Sequence, residues 1–471
     1  MSIAIVWFRQ DLRCHDNPAL YTACKNNRTI IPLYILEDLD ELIGGSQGWW
    51  LHHSLASLQN ELKKQGLKLC FKKGNALQIL KKLIEHHAIT EIYWNRCYEP
   101  ARIARDKHIK NELTTLGIKV TSFNGSLLNE PWTIKNKSGE YFKVFTPFWK
   151  QCLQQIELPN YLVIHNWPNS LNTSSENLAE WNLLPKKPDW AKEFHEFWEP
   201  GELGAQKKLD FFIQNHLQNY KKSRDEPSQE GTSRLSPHLH FGEISPWQIW
   251  RAIEQIQFQK KYNLSSVECF QTELGWREFS YHLLYHVPNL PHENFRQEFN
   301  AFSWQKNKKQ LKLWQQGLTG FPIVDAGMRE LWRTGYMHNR VRMIVASFLV
   351  KDLLIDWREG AKWFWYTLLD ADLANNSTSW QWIAGTGTDS APYFRIFNPI
   401  LQGEKFDPLG KYVKTWIPEL TQVPNKWIHK PWEAPQNELP ITLGQDYPLP
   451  IIDHNLARKR ALQEYQAIKK K

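Results

Sequence analysis

The 471-residue chain has no run of about 18 consecutive apolar residues, the minimum for a membrane-spanning helix, so none is expected. Its opening, Met1-Ser2-Ile3-Ala4-Ile5-Val6-Trp7-Phe8-Arg9, has no charged region ahead of an apolar one and no small-residue cleavage site, which predicts no secretory signal. The six cysteines, Cys14, Cys24, Cys70, Cys97, Cys152 and Cys269, form no Cys-x-x-Cys pair and no metal-ligand spacing. Reduced thiols in a cytoplasmic protein without a bound metal are expected. No Gly-x-Gly-x-x-Gly follows the first apolar run. Arg9-Gln10-Asp11-Leu12-Arg13-Cys14-His15-Asp16-Asn17 is charged and glycine-free, which argues against a nicotinamide dehydrogenase. Gly231-Thr232-Ser233-Arg234-Leu235-Ser236 lacks the Lys-Ser/Thr ending of a P-loop, which argues against nucleotide hydrolysis. No internal repeat is visible.

What is present is a chain built to fold, 42% hydrophobic and 23% charged, and long enough for two domains. Lys and Arg number 58 against 49 Asp and Glu, a net +9 that favours a polyanionic partner such as nucleic acid. Tryptophan is over-represented, at 24 residues. Apolar runs at 3–8, 30–36, 68–71, 91–94 and 118–122 read as strands, and helical patterns at 50–65, 76–87 and 101–116 lie between them. Short apolar strands alternating with helices predict a parallel, doubly wound α/β domain over residues 1–130, its sheet covered on both faces. Residues 131–200 are rich in Pro, Asn, Ser and Trp and read as an interdomain linker, held to the surface by Phe142, Phe145, Phe148 and Trp149. From 201 to 471 the helical period dominates, predicting an all-helical domain. Ser245-Pro246 starts one helix, and 262–287, 324–332, 338–355 and 360–370 carry others. The span 375–400 interleaves Asn, Ser, Thr, Gly and Pro with Trp380, Trp382, Tyr393 and Phe394 and reads as a loop-rich ligand-holding segment. The basic residues Arg458-Lys459-Arg460 and Lys469-Lys470-Lys471 read as a solvated tail.

Four constellations can carry chemistry. Glu273, Trp276 and Arg277 share one helical face, where a carboxylate, an indole and a guanidinium can engage a planar heterocycle or simply solvate the helix. Asn339, Arg342 and Met343 share another face beside an apolar run, where burial of Asn and Arg demands partners such as a phosphate or a polar ring. Asp370 and Asp372, two apart, suit a metal, a ribose, acid/base work or the start of the next segment, and the sequence leaves these open. Gly231–Ser236 is a small anion cradle or a plain turn. Trp380 and Trp382 flank one glutamine, so in an extended stretch one faces inward and the other a cavity, where an indole can stack a base.

At these residues the chain resembles the DNA photolyase/cryptochrome family, most closely the bacterial class I cyclobutane pyrimidine dimer photolyases. The likeness runs from Val6-Trp7-Phe8-Arg9-Gln10-Asp11-Leu12-Arg13 almost to the C-terminus. It is carried by Gly231–Ser236, Trp276–Phe279, Thr319–Ala326, Met337–Asp352, Trp380-Gln381-Trp382 and Ala391–Pro399. The resemblance implies an N-terminal α/β domain, a long linker and a helical C-terminal domain holding a folded FAD. It also implies light-driven electron donation from reduced FAD to a flipped-out dimer, after which the electron returns. By motif, Tyr220, Thr232, Ser233, Arg234, Leu235 and Ser236 would contact the FAD phosphates and ribityl chain. Trp276, Asn339, Arg342, Asp370, Asp372 and Asn376 would surround the rest of the flavin, with Asp370 paired to Arg342 and Asn376 facing N5. Glu273, protonated or sharing a proton, would hydrogen-bond the lesion, and Trp276 and Trp382 would wall it with Asn339 and Met343 nearby. Arg224, Arg340 and Arg395 would clamp DNA phosphates. Trp380, Trp357 and Trp304 would form an electron relay that photoreduces FAD.

Two departures stand out. Asn376-Ser377-Thr378-Ser379-Trp380 replaces the family's Asn-Asn-Gly-Gly-Trp, which changes the backbone chemistry beside N5. Ala101 and Arg102 stand where folate-type members carry Asn and Glu, and Glu99-Pro100 with Arg105-Asp106 is closer to the deazaflavin type. A second antenna chromophore, methenyltetrahydrofolate or 8-hydroxy-5-deazaflavin, is thus implied without a choice between them. The expected protein is a monomer that acts on dimer-containing DNA. A cryptochrome-type blue-light sensor and a non-enzymatic single-strand-binding module are the alternatives. A short basic tail in place of a long extension argues against the first. The Asp370, Asp372, Glu273 and Asn339 set, which the second does not need, argues against that one. His338-Asn339-Arg340, in place of paired cavity histidines, argues against a (6-4) photolyase.

Overall fold

A computed structural model describes residues 3–37, 45–257, 262–390, 392–393 and 395–469. Met1, Ser2, Ala391, Phe394, Lys470 and Lys471, named above, lie outside the described residues. The chain gathers into two compact units, residues 1–218 with 233–288, and residues 219–232 with 289–471.

Among the described residues, the first unit is built on six parallel strands, β1 Ile3–Phe8, β2 Thr29–Leu36, β3 Cys70–Lys73, β4 Ile89–Asn95, β5 Lys119–Phe123 and the short β6 Asn169–Ser170. Their order is β3-β2-β1-β4-β5, with β6 pairing the start of β2 through Thr29↔Asn169 and Ile30↔Ser170. Central β1 is buried from Ala4 through Phe8 because crossover helices cover both faces, and so its sequence lacks alternation. Ile5, Trp7, Ile31, Leu33, Ile92 and Trp94 form the sheet's core with Leu80, Ile109 and Leu113 of the helices. The helices Ser46–Lys64, Ala76–His86 and Pro100–Thr115 match the expected ones closely. The expected fold class, a parallel α/β region followed by helices, is what the chain adopts.

Residues 131–200 are knitted into this unit. Phe145 stacks on Trp276 at 3.7 Å, and Phe148 packs on Phe279 and His282 at 5.1 and 4.8 Å. His282 accepts from the Phe142 N–H through Nε2 (3.0 Å) and bonds the Pro131 carbonyl through Nδ1 (3.1 Å). Burial lowers its pKa to about 4, which fixes a neutral ring with Nδ1 as the donor. The sixth strand was not legible because two residues carry no periodicity.

The second unit is helical. Its core gathers Trp314, Trp357, Trp380, Phe348, Phe364 and Met337 around the helices Pro322–Thr334, Asn339–Ser347, Trp357–Thr367 and Leu373–Ala384. Two expectations fail here. The helix read over 338–355 stops at Ser347 and passes into a π-turn, Phe348–Asp352, whose five residues are all buried. The segment read as loop from 375 is a regular helix to Ala384, and the irregular stretch begins only after it. Asp372 caps that helix by accepting from Asn375 N at 2.8 Å, and Ser377 Oγ donates to the Leu373 carbonyl at 2.6 Å. Gly385 then ends it in the left-handed region, φ +82°. Cap and backbone thus satisfy Asn375 and Ser377, while the buried Thr378 hydroxyl finds no partner among the described residues. Thr319–Ala326 also finds a structural use: buried Asp325 accepts from Thr319 N and Oγ1, Gly320 N and Tyr447 Oη at 2.6–2.9 Å.

Candidate functional site

The expected residues divide between the units, and each half has its own geometry. In the second unit, buried Glu330 sets the start of the Asn339–Ser347 helix by accepting from His338 N (3.2 Å) and Tyr412 Oη (2.6 Å). His338 caps the helix by accepting from Arg340 N. Asn339, expected to be buried, is exposed, and Arg342 and Met343 are half-buried, Met343 packing against the helical core. Arg342 donates to the Met337 carbonyl (2.7 Å) and to Asp370 (2.9 Å). Burial opposes its charge, but Asp370 and Tyr336 more than offset that and raise its pKa. The expected Arg342–Asp370 pair therefore forms.

Of the options open for Asp372, helix capping is realised. Asn376, one turn on, donates Nδ2 to the Ala361 carbonyl at 3.0 Å, which turns its acceptor oxygen the other way. Ser377-Thr378-Ser379 keeps helical backbone, so the missing glycine pair imposes no strain beside Asn376. Trp380 is buried and Trp382 half-exposed. The extended geometry expected for them gives way to a helix, and both indoles pack against the same core. Between them Gln381 is fully buried, donating to the Leu290 and Glu293 carbonyls (2.7 and 2.8 Å) and accepting from Phe295 N (2.9 Å). Sequence reading missed this lock, although a glutamine between two indoles was its signal.

Arg340 donates to Asp225 (2.9 Å) and lies 4.4 Å over Phe406, while Arg395 is exposed. Asp225, next to Arg224, was also missed. Arg224 lies 5.6 Å over the Tyr220 ring. Thr232 belongs to this unit. Trp357 is fully buried, and Trp304 is half-buried, 4.5 Å from Phe302. Gly360, one turn beyond Trp357, approaches Trp380 so closely that a Cβ would lie 2.1 Å from its ring.

In the first unit, residues 233–235 lead irregularly into the helix that starts at Ser236; Arg234 adopts φ +49°, and Ser233 Oγ accepts from Leu235 N. Arg234 lies 6.0 Å over Trp198. Glu273 and Trp276 are half-buried on the Leu264–His286 helix. Arg277 does not serve the expected heterocycle face: it donates to the Ser126 carbonyl (2.8 Å) and lies 4.9 Å over Tyr281. At the antenna positions, Glu99 accepts from Gln10 (2.8 Å), and Arg105 pairs with Asp106 and Glu37.

The donor set of the second unit suits a flavin. The Arg342–Asp370 pair offers both a cation and an acceptor, and Asn376, its amide nitrogen engaged by Ala361, can present only a carbonyl oxygen to a protonated ring nitrogen.

Comparison with known proteins agrees. Residues 4–169 match the DNA photolyase family model, and residues 270–467 match the model of the FAD binding domain of DNA photolyase. A deoxyribodipyrimidine photo-lyase from Agrobacterium fabrum is 50% identical, over 99% of this chain and 98% of its own. Cryptochrome-1 of Arabidopsis thaliana is 38% identical over 97% of this chain and 69% of its own. The crystal structure of a bacterial class III photolyase from Agrobacterium tumefaciens superposes with a TM-score of 0.97 at 49% identity, covering 100% of this chain and 98% of that one. Sheet order, helical half, flavin-suited donor set and full-length likeness converge: the chain belongs to the DNA photolyase/cryptochrome family and carries that family's FAD-binding domain.

Proposed function

We propose that this protein is a light-driven deoxyribodipyrimidine photo-lyase that repairs cyclobutane pyrimidine dimers in DNA, acting as a monomer in the cytoplasm. One observation carries the reading: the Arg342–Asp370 pair and the acceptor-only Asn376 stand together in a chain 50% identical, over 99% of its length, to a protein of that name. The class III structure at 49% identity favours that class over the class I likeness first read from the motifs.

Bound FAD supplies the light absorption and the single electron. The chain supplies everything else. Tyr220 and Thr232, with Ser233, Arg234, Leu235 and Ser236, hold phosphates and ribityl hydroxyls. Asp370 keeps Arg342 aimed and neutralised, and Asn376 would offer its amide oxygen to the flavin ring nitrogen N5 without adding charge. Trp276, Asn339 and Asp372 contribute to the flavin's surroundings. Glu273 hydrogen-bonds the lesion, which packs against Trp276 and Trp382 beside Met343. Trp380, Trp357 and Trp304 relay electrons inward. Arg224, Arg340 and Arg395 engage phosphates. A second chromophore of folate or deazaflavin type, if bound, would supply additional light absorption.

Dimer loss in irradiated DNA, followed in the dark and under blue light with reduced protein, tests the reading. Loss confined to the light supports it, and equal loss in both refutes it. The absorption spectrum after denaturation identifies FAD and any second chromophore. The cryptochrome relative favours a sensor as the second reading, and that reading gains if flavin photochemistry proceeds with dimers left intact.

A further inference from the structure

We propose that Asn294 keeps the Trp357 indole protonated while it is oxidised, so that an electron vacancy passes through this buried position and settles at Trp304. The proposal rests on the relay reading of Trp380, Trp357 and Trp304. Oxidising an indole makes its N–H strongly acidic, so the fate of the vacancy depends on what accepts that N–H. Trp357 is fully buried, and its Nε1–H donates to Asn294 Oδ1 at 2.9 Å. Asn294 is itself 2% exposed, and its Nδ2 donates to Asn300 Oδ1 at 2.8 Å, which fixes the carbonyl oxygen toward the indole. An amide oxygen accepts a hydrogen bond but is far too weak a base to take the proton.

The charge around Trp357 works in the same direction. Arg358 lies 4.8 Å from the indole centroid and is held there by Asp356 (2.9 and 3.1 Å) and the His292 carbonyl (2.7 Å). A guanidinium over the ring disfavours a resting cation, and the Asp356 carboxylate beside it moderates but does not remove that bias. Gln381 ties Leu290 and Glu293, and with them Asn294, to the helix that carries Trp380. The steps balance as follows. Trp380 gives one electron to photoexcited flavin, Trp357 refills Trp380, and Trp304 refills Trp357. One proton then leaves the half-buried Trp304 N–H for water. No proton moves at Trp357.

The test is transient absorption of the flavin-loaded protein in H2O and D2O, which distinguishes the tryptophan radical cation from the deprotonated radical. In the unmodified chain, transfer past Trp357 should show no solvent isotope effect. Asn294→Asp places a base on the same hydrogen bond. A deprotonated radical should then form inside the protein with a solvent isotope effect, and the yield of the Trp304 radical should fall severalfold. An unchanged course in Asn294→Asp overturns the proposal. Trp304→Phe supplies a check that leaves Asn294 untouched: the vacancy stranded at Trp357 should persist as the protonated cation until the charge returns, and a deprotonated radical there also overturns the proposal. Trp357→Phe separates the two levels. Photoreduction unaffected by that change would end the relay reading itself, whereas a working relay with a deprotonated Trp357 would end only the role of Asn294.

Discussion

Glu278 shows how a single buried carboxyl couples structure to pH. It accepts from the N–H groups of Leu128 and Asn129 at 2.8 and 3.1 Å and lies 3.3 Å from Arg277. Burial nevertheless outweighs these partners and moves its pKa from 4.5 to about 7. The folded-state value lies above the unfolded one, so the folded protein holds this proton more tightly. The stabilisation is complete below about pH 4.5, is lost as pH rises toward 7, and changes no further above that, a span worth roughly 3 kcal/mol. Glu278→Gln keeps an acceptor for both N–H groups and removes the titration. The variant's melting temperature should therefore rise relative to the parent between pH 5 and pH 8. A difference that stays constant over that range would show that Glu278 does not titrate there. Arg342 is the second informative residue. Arg342→Gln leaves Asp370 charged without its cation, and flavin should be released markedly faster, as read from the flavin absorbance that survives gel filtration.

The Leu373–Ala384 helix is the element on which the proposed site turns, and it is where the sequence misled. Asn375, Asn376, Ser377, Thr378 and Ser379 have weak helix propensity and resemble a loop, yet Asp372 caps them and Ile383, Ala384 and Trp380 bury the far end. Tertiary packing overrode local preference. The sheet was legible for the opposite reason. Its buried strands, such as Ile30–Leu36, are continuous apolar runs between helical patterns, a signal independent of distant partners. The site was legible where a motif fixes residue identity, as in Arg342 with Asp370. It was hidden where a side chain's direction depends on partners far along the chain, as in Arg277 toward Ser126, Arg340 toward Asp225 and Gln381 toward Leu290. Gly360 tests the element directly. A methyl at this position would lie 2.1 Å from the Trp380 ring, so Gly360→Ala should destabilise the protein by about 1–3 kcal/mol through overpacking. It should also slow flavin photoreduction by displacing Trp380. Normal stability with normal photoreduction would show that the two helices have room to part.

At the scale of the whole molecule, a net charge of +9 sets the expectation for DNA binding. Charge alone attracts any polyanion, and what distinguishes a phosphate contact is whether the cation is still available. Arg395 is exposed, whereas Arg340 already donates to Asp225 at 2.9 and 3.3 Å and lies over Phe406. A cation neutralised by its own carboxylate releases fewer counterions when it meets DNA than an unengaged one does. Arg395→Gln should therefore lower the slope of log affinity against log salt by about 1 and weaken binding to damaged and undamaged DNA alike. Arg340→Gln should change that slope less, because its charge is already neutralised by Asp225, yet it should still weaken binding, because Asp225 is then left uncompensated near the same phosphates. The double change Arg340→Gln with Asp225→Asn should restore most of the affinity that Arg340→Gln loses. Equal slopes for the two single variants, with no recovery in the double one, would mean that Asp225 releases Arg340 when DNA arrives and that the ion pair seen in the free protein plays no part in binding.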